Sequence, residues 1–148
     1  MMHKASKLPH RPQGMWVTLA SMVLATVLGS VHAFSVFLEP MENYFQTSRS
    51  QVSLTYSFTL LSLTVGVLLG HRFYGLLRPA SLSIAVCGLA LIGTLIAASA
   101  THIIMVWLGY SLLFGLANGL GYGFALQISA QSNLENKGFV MGLVTASY

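Results

Sequence analysis

The charged residues of this chain fall in short clusters, and long stretches without any charge separate the clusters. The charge-free stretches are residues 12–38, 50–71 and 79–134. A bilayer core about 30 Å thick is crossed by roughly 20 predominantly apolar residues in an α-helix. Each of the first two stretches has room for one such helix, and the third has room for two joined by a short turn. The spacing predicts an all-α, polytopic membrane protein with four complete transmembrane helices.

Composition excludes several other classes of protein. Only 7% of the residues are charged, against about 25% in soluble domains, so a water-soluble globule is not expected. The net charge of +4 comes from Lys and Arg at predicted helix ends rather than on one solvated face, which argues against nucleic-acid binding. The carboxylates Glu39, Glu42 and Glu135 lie at predicted connections, and Cys87 is the single cysteine. We therefore expect no enzyme, no metal site and no cofactor.

Proline, glycine and capping residues set the predicted helix bounds. A cytoplasmic tail is expected at residues 1–14, and the apolar run after it is too long for a cleaved signal peptide. Pro40 is expected to close the first helix, since proline breaks a helix interior. A fifth hydrophobic segment, residues 138–148, is too short to cross a bilayer, and we expect it to be the truncated start of another helix. The complete helices are predicted at residues 15–38, 51–70, 80–100 and 103–130.

The cationic residues predict the orientation of the chain. Six of them lie on one side of the predicted topology, and Arg49 alone lies on the other. The positive-inside rule makes the side with six cations the cytoplasmic one. We therefore expect a multi-pass protein of the plasma membrane, or of the inner membrane in a bacterium, with a cytoplasmic N-terminus. The six residues are Lys4, Lys7, Arg11, Arg72, Arg78 and Lys137.

Small and polar residues form a stripe along the first predicted helix. At about 100° per residue, one face holds Thr18, Ser21, Ala25, Gly29 and His32. Unpartnered polar groups cost free energy in lipid, so this face should meet other helices or a wet cavity. An intramembrane histidine is a functional candidate by default. Two interpretations of His32 stay open. The residue lines a substrate path, or it is a neutral imidazole that is hydrogen-bonded to a neighbouring helix or hydrated near the outer surface.

The second and fourth predicted helices carry two patterned faces each. Two hydroxyl faces on the second, one of them beside Tyr56, predict a helix packed on both sides. Small residues at every fourth position on two faces of the fourth allow close backbone approach. Asn118 and Tyr122 project together with Ser111, as candidates for a cavity or for interhelical hydrogen bonds. The hydroxyl faces are Ser53, Ser57 and Thr64, and Thr55, Thr59, Ser62 and Gly66; the small-residue faces are Gly115, Gly119 and Gly123, and Ala117, Gly121 and Ala125.

Four segments, in the right order over about residues 15–148, resemble the N-terminal part of a major facilitator superfamily transporter. They are most similar to the oxalate/formate antiporter and monocarboxylate porter branch. The segments are Gly-Ser-Val-His-Ala-Phe-Ser-Val-Phe-Leu-Glu-Pro from Gly29, Phe-Gln-Thr-Ser-Arg-Ser-Gln-Val-Ser-Leu from Phe45, Gly-Leu-Ala-Asn-Gly-Leu-Gly-Tyr from Gly115, and Lys-Gly-Phe-Val-Met-Gly-Leu-Val-Thr-Ala-Ser from Lys137.

The resemblance implies an N-terminal portion of a fold with two six-helix halves and a substrate site between them at the midplane. It implies alternating-access transport of a monocarboxylate or dicarboxylate anion across the lipid bilayer. A proton or an exchanged anion is the expected coupling ion, and the C-terminal half of the same protein is the expected missing partner. The substrate-path candidates are His32, Tyr56, Asn118 and Tyr122, and the helix-packing candidates are Gly29, Gly115, Gly119 and Gly123.

This chain also departs from the family pattern. The family's loop after the second helix is matched only loosely, by Gly66, Arg72, Gly75 and Arg78, and its carboxylate is absent. His32 stands where the branch commonly has tyrosine. Two alternatives stay open: a non-transporting membrane module or small oligomeric subunit that assembles through its glycine faces, and a major facilitator porter of another substrate class.

Overall fold

The computed structural model describes residues 12–76 and 78–148, and every regular element in these ranges is helical. Most of the predicted tail, including its cations Lys4, Lys7 and Arg11, lies outside the described residues. In chain order the elements are α1 Pro12–Gly29, a 3-10 helix Ser30–Phe37, α2 Leu38–Phe45, α3 Arg49–Tyr74, α4 Pro79–Ala98, α5 Ile103–Val106, a π-helix Trp107–Phe114, α6 Gly115–Ser132 and α7 Lys137–Ser147.

Four helical segments of the described chain are long and apolar enough to cross a membrane. We call them spans 1 to 4, and they are Gly14–Phe45, Arg49–Tyr74, Pro79–Ala98 and Ile103–Ser132. The 11 residues of α7 are fewer than the roughly 20 that a crossing requires. The predicted fold class, an all-α polytopic protein with four membrane-length helices, is confirmed.

Span 1 continues past the proline at which the sequence predicts its end. The predicted end is residue 38, whereas α2 extends the span to Phe45. Pro40 is the third residue of α2, in a first turn where proline is tolerated because the first N–H groups lack intrahelical partners. The span stops at Gln46, which adopts the left-handed conformation with φ 49°. Span 2 is also longer than predicted: it begins at Arg49 rather than residue 51 and ends at Tyr74 rather than residue 70.

Span 4 lies at the centre of the bundle and contacts each of the other spans and α7. Its closest approach is to span 2, along the face that carries Gly115 and Gly119. A Cβ atom built on Gly115 would lie 2.9 Å from the carbonyl oxygen of Thr59, and one on Gly119 would overlap the carbonyl oxygen of Leu63. A side chain at either position would therefore push the two backbones apart.

Span 4 approaches spans 1 and 3 through other small residues. Gly109 in the π-helix faces Gly93 of span 3, and a Cβ atom on either glycine would lie 2.6 Å from the other's carbonyl oxygen. On the face toward span 1, Ala125 packs with Ala25 and with Val144 of α7 in a buried apolar cluster. The stripe of span 1 thus faces span 4 and α7 with buried residues, including Thr18, Ser21 and Ala25.

Span 2 is packed on one of its polar faces. Thr55 and Thr59 are completely buried against span 4. The hydroxyl of Thr64, on the other face, donates to the carbonyl oxygen of Leu60 in its own helix at 2.9 Å, so it needs no neighbouring helix. The prediction that span 2 packs on both sides is wrong for the described residues. The exposed polar face consists of Ser53, Ser57 and Thr64.

Glycine-to-alanine substitutions test the contact between spans 2 and 4. Gly119→Ala places a methyl group against the Leu63 carbonyl, so we expect the free energy of unfolding to fall by about 1–3 kcal/mol, the usual cost of overpacking. Gly88→Ala is the matched control, because no atom lies within 4 Å of the Cβ position of Gly88 in span 3. Thermal unfolding in detergent measures both. Equal loss of stability in the two variants would contradict the close approach.

Candidate functional site

The second half of span 1 changes from α-helical to 3-10 geometry at Ser30. Side chains three residues apart eclipse one another in a 3-10 helix, so this segment presents straight rows of side chains. One row is buried, the next is exposed and polar, and the third is exposed and apolar. The buried row is Val31 with Phe34. The exposed polar row is His32 with Ser35, and the exposed apolar row is Ala33 with Val36.

His32 joins span 1 to span 2 and α7. Its Nδ1 atom lies 3.1 Å from the hydroxyl oxygen of Tyr56. Its ring meets the ring of Tyr148 edge to face, with the centroids 5.2 Å apart. Among residues 12–76 and 78–148, no group forms a hydrogen bond with His32 Nε2, and the side chain is exposed. One ring nitrogen is therefore bonded within the protein, and the other is open to water or to a ligand.

Tyr148 connects this histidine to span 4. Its ring packs against the ring of Tyr122 with the centroids 4.3 Å apart. Its hydroxyl donates to Oδ1 of Asn118 at 2.8 Å. The hydroxyl of Tyr122 in turn donates to Oγ1 of Thr145 in α7 at 3.2 Å. Spans 1, 2 and 4 and α7 therefore converge on one group of rings.

Phe34 extends the group between spans 1, 2 and 4. Its ring stacks on Tyr56 with the centroids 5.9 Å apart and lies against Tyr110 at 5.6 Å. Tyr110 itself stacks on Phe114. We call the six residues that contact one another here the aromatic cluster: His32, Phe34, Tyr56, Tyr110, Tyr122 and Tyr148.

The aromatic cluster contains hydrogen-bonding groups but no fixed charge. The charged residues of the described ranges lie near the ends of the spans, in the connections or at the start of α7, and Glu42 of α2 forms an ion pair at 3.7 Å with Arg49, the first residue of span 2. No hydrogen bond or ion pair joins a charged residue of these ranges to the cluster. In the same ranges, no three His, Cys, Asp or Glu side chains are close enough to hold a metal ion. The cluster can offer hydroxyl and imidazole groups to a polar ligand.

Asn118 forms hydrogen bonds between helices rather than lining a cavity. The residue is fully buried. Its Nδ2 donates to the carbonyl oxygen of Leu28 in span 1 at 2.7 Å, while its Oδ1 accepts from Tyr148. Of the two alternatives for this residue, the geometry fits the interhelical hydrogen bond and not the cavity.

Ser111 does not join Asn118 and Tyr122 as the sequence predicts. Its hydroxyl donates to the carbonyl oxygen of Thr55 in span 2 at 2.8 Å, whereas Asn118 bonds to span 1. The uniform step of about 100° behind that prediction does not apply across Trp107–Phe114, where the wider π-helical turns change the direction of successive side chains.

The remaining predicted residues take several positions. Gly29 lies against the backbone of Tyr148, and Gly123 makes room for the hydroxyl of Tyr74. Gly66 does not belong to the loop after span 2: it is buried inside that span, where a Cβ atom would lie 2.6 Å from the carbonyl oxygen of Leu116. The predicted second helix, residues 51–70, already includes this position. Of the other loop-motif residues, Arg72 lies in the last turn of α3, and Gly75 and Arg78 lie in the connection to span 3.

Three members of the aromatic cluster are absent from the predicted site: Phe34, Tyr110 and Tyr148. Tyr110 reads as an interfacial aromatic in the sequence, and Tyr148 stands at the end of a segment too short to be counted as a span. Tyr110 and Tyr148 lie on other helices than His32 and Tyr56, and Phe34 joins the cluster through Tyr56 and Tyr110, which also lie on other helices, so no local periodicity links the three to the predicted site. The one available signal was the concentration of aromatic and hydroxyl side chains around His32 and Tyr56.

Comparisons with known proteins bear on the class of this chain. No protein-family model matches the sequence, and no solved structure matches it. It is similar to the uncharacterized MFS-type transporter YhjX of Escherichia coli (strain K12), with 31% identity over 140 residues. This similarity supports the major facilitator superfamily. The alignment covers 90% of this chain and 33% of the relative, so the chain spans about a third of the length of the curated relative that it matches.

A double-mutant cycle tests the tie between Asn118 and Tyr148. Asn118→Ala removes both hydrogen bonds of the amide, and Tyr148→Phe removes only the hydroxyl that donates to it. We expect a coupling free energy of about 0.6 kcal/mol, typical of hydrogen bonds between membrane helices, from unfolding measurements on the two single variants and the double variant. Strict additivity would show that the two side chains do not interact.

Proposed function

We propose that this chain forms part of the substrate path of an alternating-access transporter for a small organic anion. The proposal rests on the exposed polar row of span 1, His32 with Ser35, which lies beside the aromatic cluster. A transport function in general is supported by four membrane-length helices and by a relative that is named a transporter.

The polar row needs a neighbour other than lipid. In hydrocarbon, a polar group without a partner costs free energy, so polar side chains of membrane helices face protein or water. Ser35 and Nε2 of His32 have no hydrogen-bonding side chain beside them among the described residues. A water-filled path that a substrate enters would meet this requirement, and so we assign this surface to the path.

The chemistry of the aromatic cluster favours an anion over a cation. Charged groups inside membrane proteins are commonly paired with an opposite charge, and the cluster contains no carboxylate that would pair with a cation. Tyrosine hydroxyls and imidazole N–H groups are donors that suit the oxygen atoms of a carboxylate. We therefore propose a monocarboxylate or dicarboxylate substrate, in line with the resemblance to the oxalate/formate and monocarboxylate branch, with His32, Tyr56 and Tyr122 as its contacts.

The proposal places these helices in a larger assembly. In the two-half transporter architecture, the site forms between pseudo-symmetric bundles that rock about it. The relative is longer than the aligned region, and we propose that helices beyond those described here complete the site. By the positive-inside rule, the end of the bundle with Arg72, Arg78 and Lys137 faces the cytoplasm of a cell whose plasma membrane holds the protein.

Uptake of radiolabelled formate, oxalate and lactate by cells that express the full reading frame tests this function. We expect saturable uptake of at least one anion above the vector control. His32→Ala should lower that uptake by roughly tenfold or more, as the loss of a hydrogen bond to a charged group predicts, without lowering membrane abundance. His102→Ala is the matched control, because His102 precedes span 4 in an exposed turn. Absence of anion uptake, or unchanged uptake by His32→Ala at equal abundance, would contradict the proposal.

A further inference from the structure

We infer that Phe34 is a positioning residue of the substrate path, which holds the Tyr56 hydroxyl in the direction that lets it bind the anion. The inference rests on the proposed function, in which Tyr56 is one of the substrate contacts, and adds a residue that acts through it. Phe34 is buried, with 5% of its surface exposed, and its side chain has no hydrogen-bonding group. Its effect on the site must therefore come through the side chains against which it packs.

Tyr56 meets span 1 at two points. Its hydroxyl oxygen lies 3.1 Å from Nδ1 of His32, and its ring stacks on the ring of Phe34 with 17° between the two planes. A 3-10 helix turns by about 120° per residue, so His32 and Phe34 lie on adjacent faces of the same short segment. Span 1 thus contacts both the polar end of Tyr56 and the flat side of its ring.

The direction of the Tyr56 hydroxyl decides whether it can bind an anion. A phenol has one proton to donate and lone pairs that accept. When Nδ1–H of His32 donates to the Tyr56 oxygen, the phenol proton is free to be donated to a carboxylate oxygen. Hydrogen bonds weaken steeply as they depart from a straight line, so a tilt of the phenol ring would weaken both bonds.

The backbone at Tyr56 is held by span 4, which leaves only the side-chain torsions to be set. The preceding residue, Thr55, is completely buried. Its carbonyl oxygen accepts a hydrogen bond from the hydroxyl of Ser111 at 2.8 Å, and its own hydroxyl accepts one from Nε1 of Trp107 at 3.0 Å. Tyr56 itself is half-buried. The nearly parallel ring of Phe34 is the flat surface that orients the phenol.

Phe34 is supported in turn from span 4. Its ring lies against the ring of Tyr110 with the centroids 5.6 Å apart, and Tyr110 stacks on Phe114 at 4.9 Å with 19° between the planes. Aromatic rings whose centroids are about 4.5–7 Å apart attract one another beyond the effect of buried area alone. The four rings run from span 2 past span 1 to the π-helix, and they fix the plane of the Tyr56 ring without using its hydroxyl.

The transport kinetics of Phe34→Leu in the full-length protein test this inference. Leucine stays apolar but has no ring to stack on Tyr56. For whichever of formate, oxalate and lactate the wild type takes up, we expect the KM to rise by about two- to tenfold, the factor that the loss of one aromatic pair predicts. The maximal rate per transporter in the membrane should stay unchanged, because the loss affects binding of the anion.

Two further variants accompany this measurement. Phe34→Met fills a similar space with a flexible side chain and no ring, so it gives the same test if Phe34→Leu lowers membrane abundance. We expect the same rise in KM. Phe37→Leu is the matched control, because Phe37 lies one turn further along the same 3-10 helix and is 55% exposed. It should keep the wild-type KM.

A double variant separates positioning from a general packing role. If Phe34 acts through the Tyr56 hydroxyl, Phe34→Leu should raise the KM no further in a Tyr56→Phe background. Three results would overturn the inference while leaving anion transport intact: an unchanged KM in Phe34→Leu or Phe34→Met, the same rise with and without the Tyr56 hydroxyl, or loss of both Phe34 variants from the membrane. Absence of anion uptake by the wild type would instead contradict the proposed function.

Discussion

The close approach of span 4 to its neighbours sets the positions of the other helices in the described bundle. Because Gly115 and Gly119 carry no side chain, the backbone of span 4 rests directly on span 2 at Thr59 and Leu63. Between membrane helices there is no hydrophobic driving force, so such van der Waals contact and interhelical hydrogen bonds must hold the bundle together. Span 4 lies at the centre of the bundle, and spans 1 to 3 and α7 pack against it.

The same arrangement produces the candidate site. While the small residues are buried at the helix contacts, the aromatic side chains of spans 1, 2 and 4 and α7 meet in the aromatic cluster. Asn118 fixes this meeting point, since its amide bonds to the Leu28 carbonyl and to the Tyr148 hydroxyl. His32 remains at the surface of the cluster, bonded on one side and open on the other. Packing and function are therefore linked through the placement of small and large residues on one helix.

The sequence predicts the number of spans because the apolar stretch that crosses the bilayer core excludes charge, and that exclusion does not depend on tertiary contacts. It also singles out His32, Tyr56 and Tyr122 as candidate residues, and the structure places all three in the aromatic cluster. It fails where the helix period changes. A step of about 100° cannot describe the 3-10 segment that aligns His32 with Ser35, or the π-helix that turns Ser111 toward span 2. Tyr110 and Tyr148 are missed because only tertiary packing brings them to the cluster, and Phe34 is missed because its place there depends on its contacts with Tyr56 and Tyr110.

In the proposed substrate path, the row with His32 and Ser35 faces water, whereas the next row of the same 3-10 helix, Ala33 with Val36, faces lipid. Cysteine labelling tests it directly in a Cys87→Ser background, because a thiol reacts as its thiolate, which requires water. Val36 is 71% exposed, so protein burial cannot prevent reaction at that position. We expect rapid labelling of Ser35→Cys by a membrane-impermeant maleimide and little labelling of Val36→Cys. Equal labelling at the two positions, or none at Ser35→Cys, would contradict it.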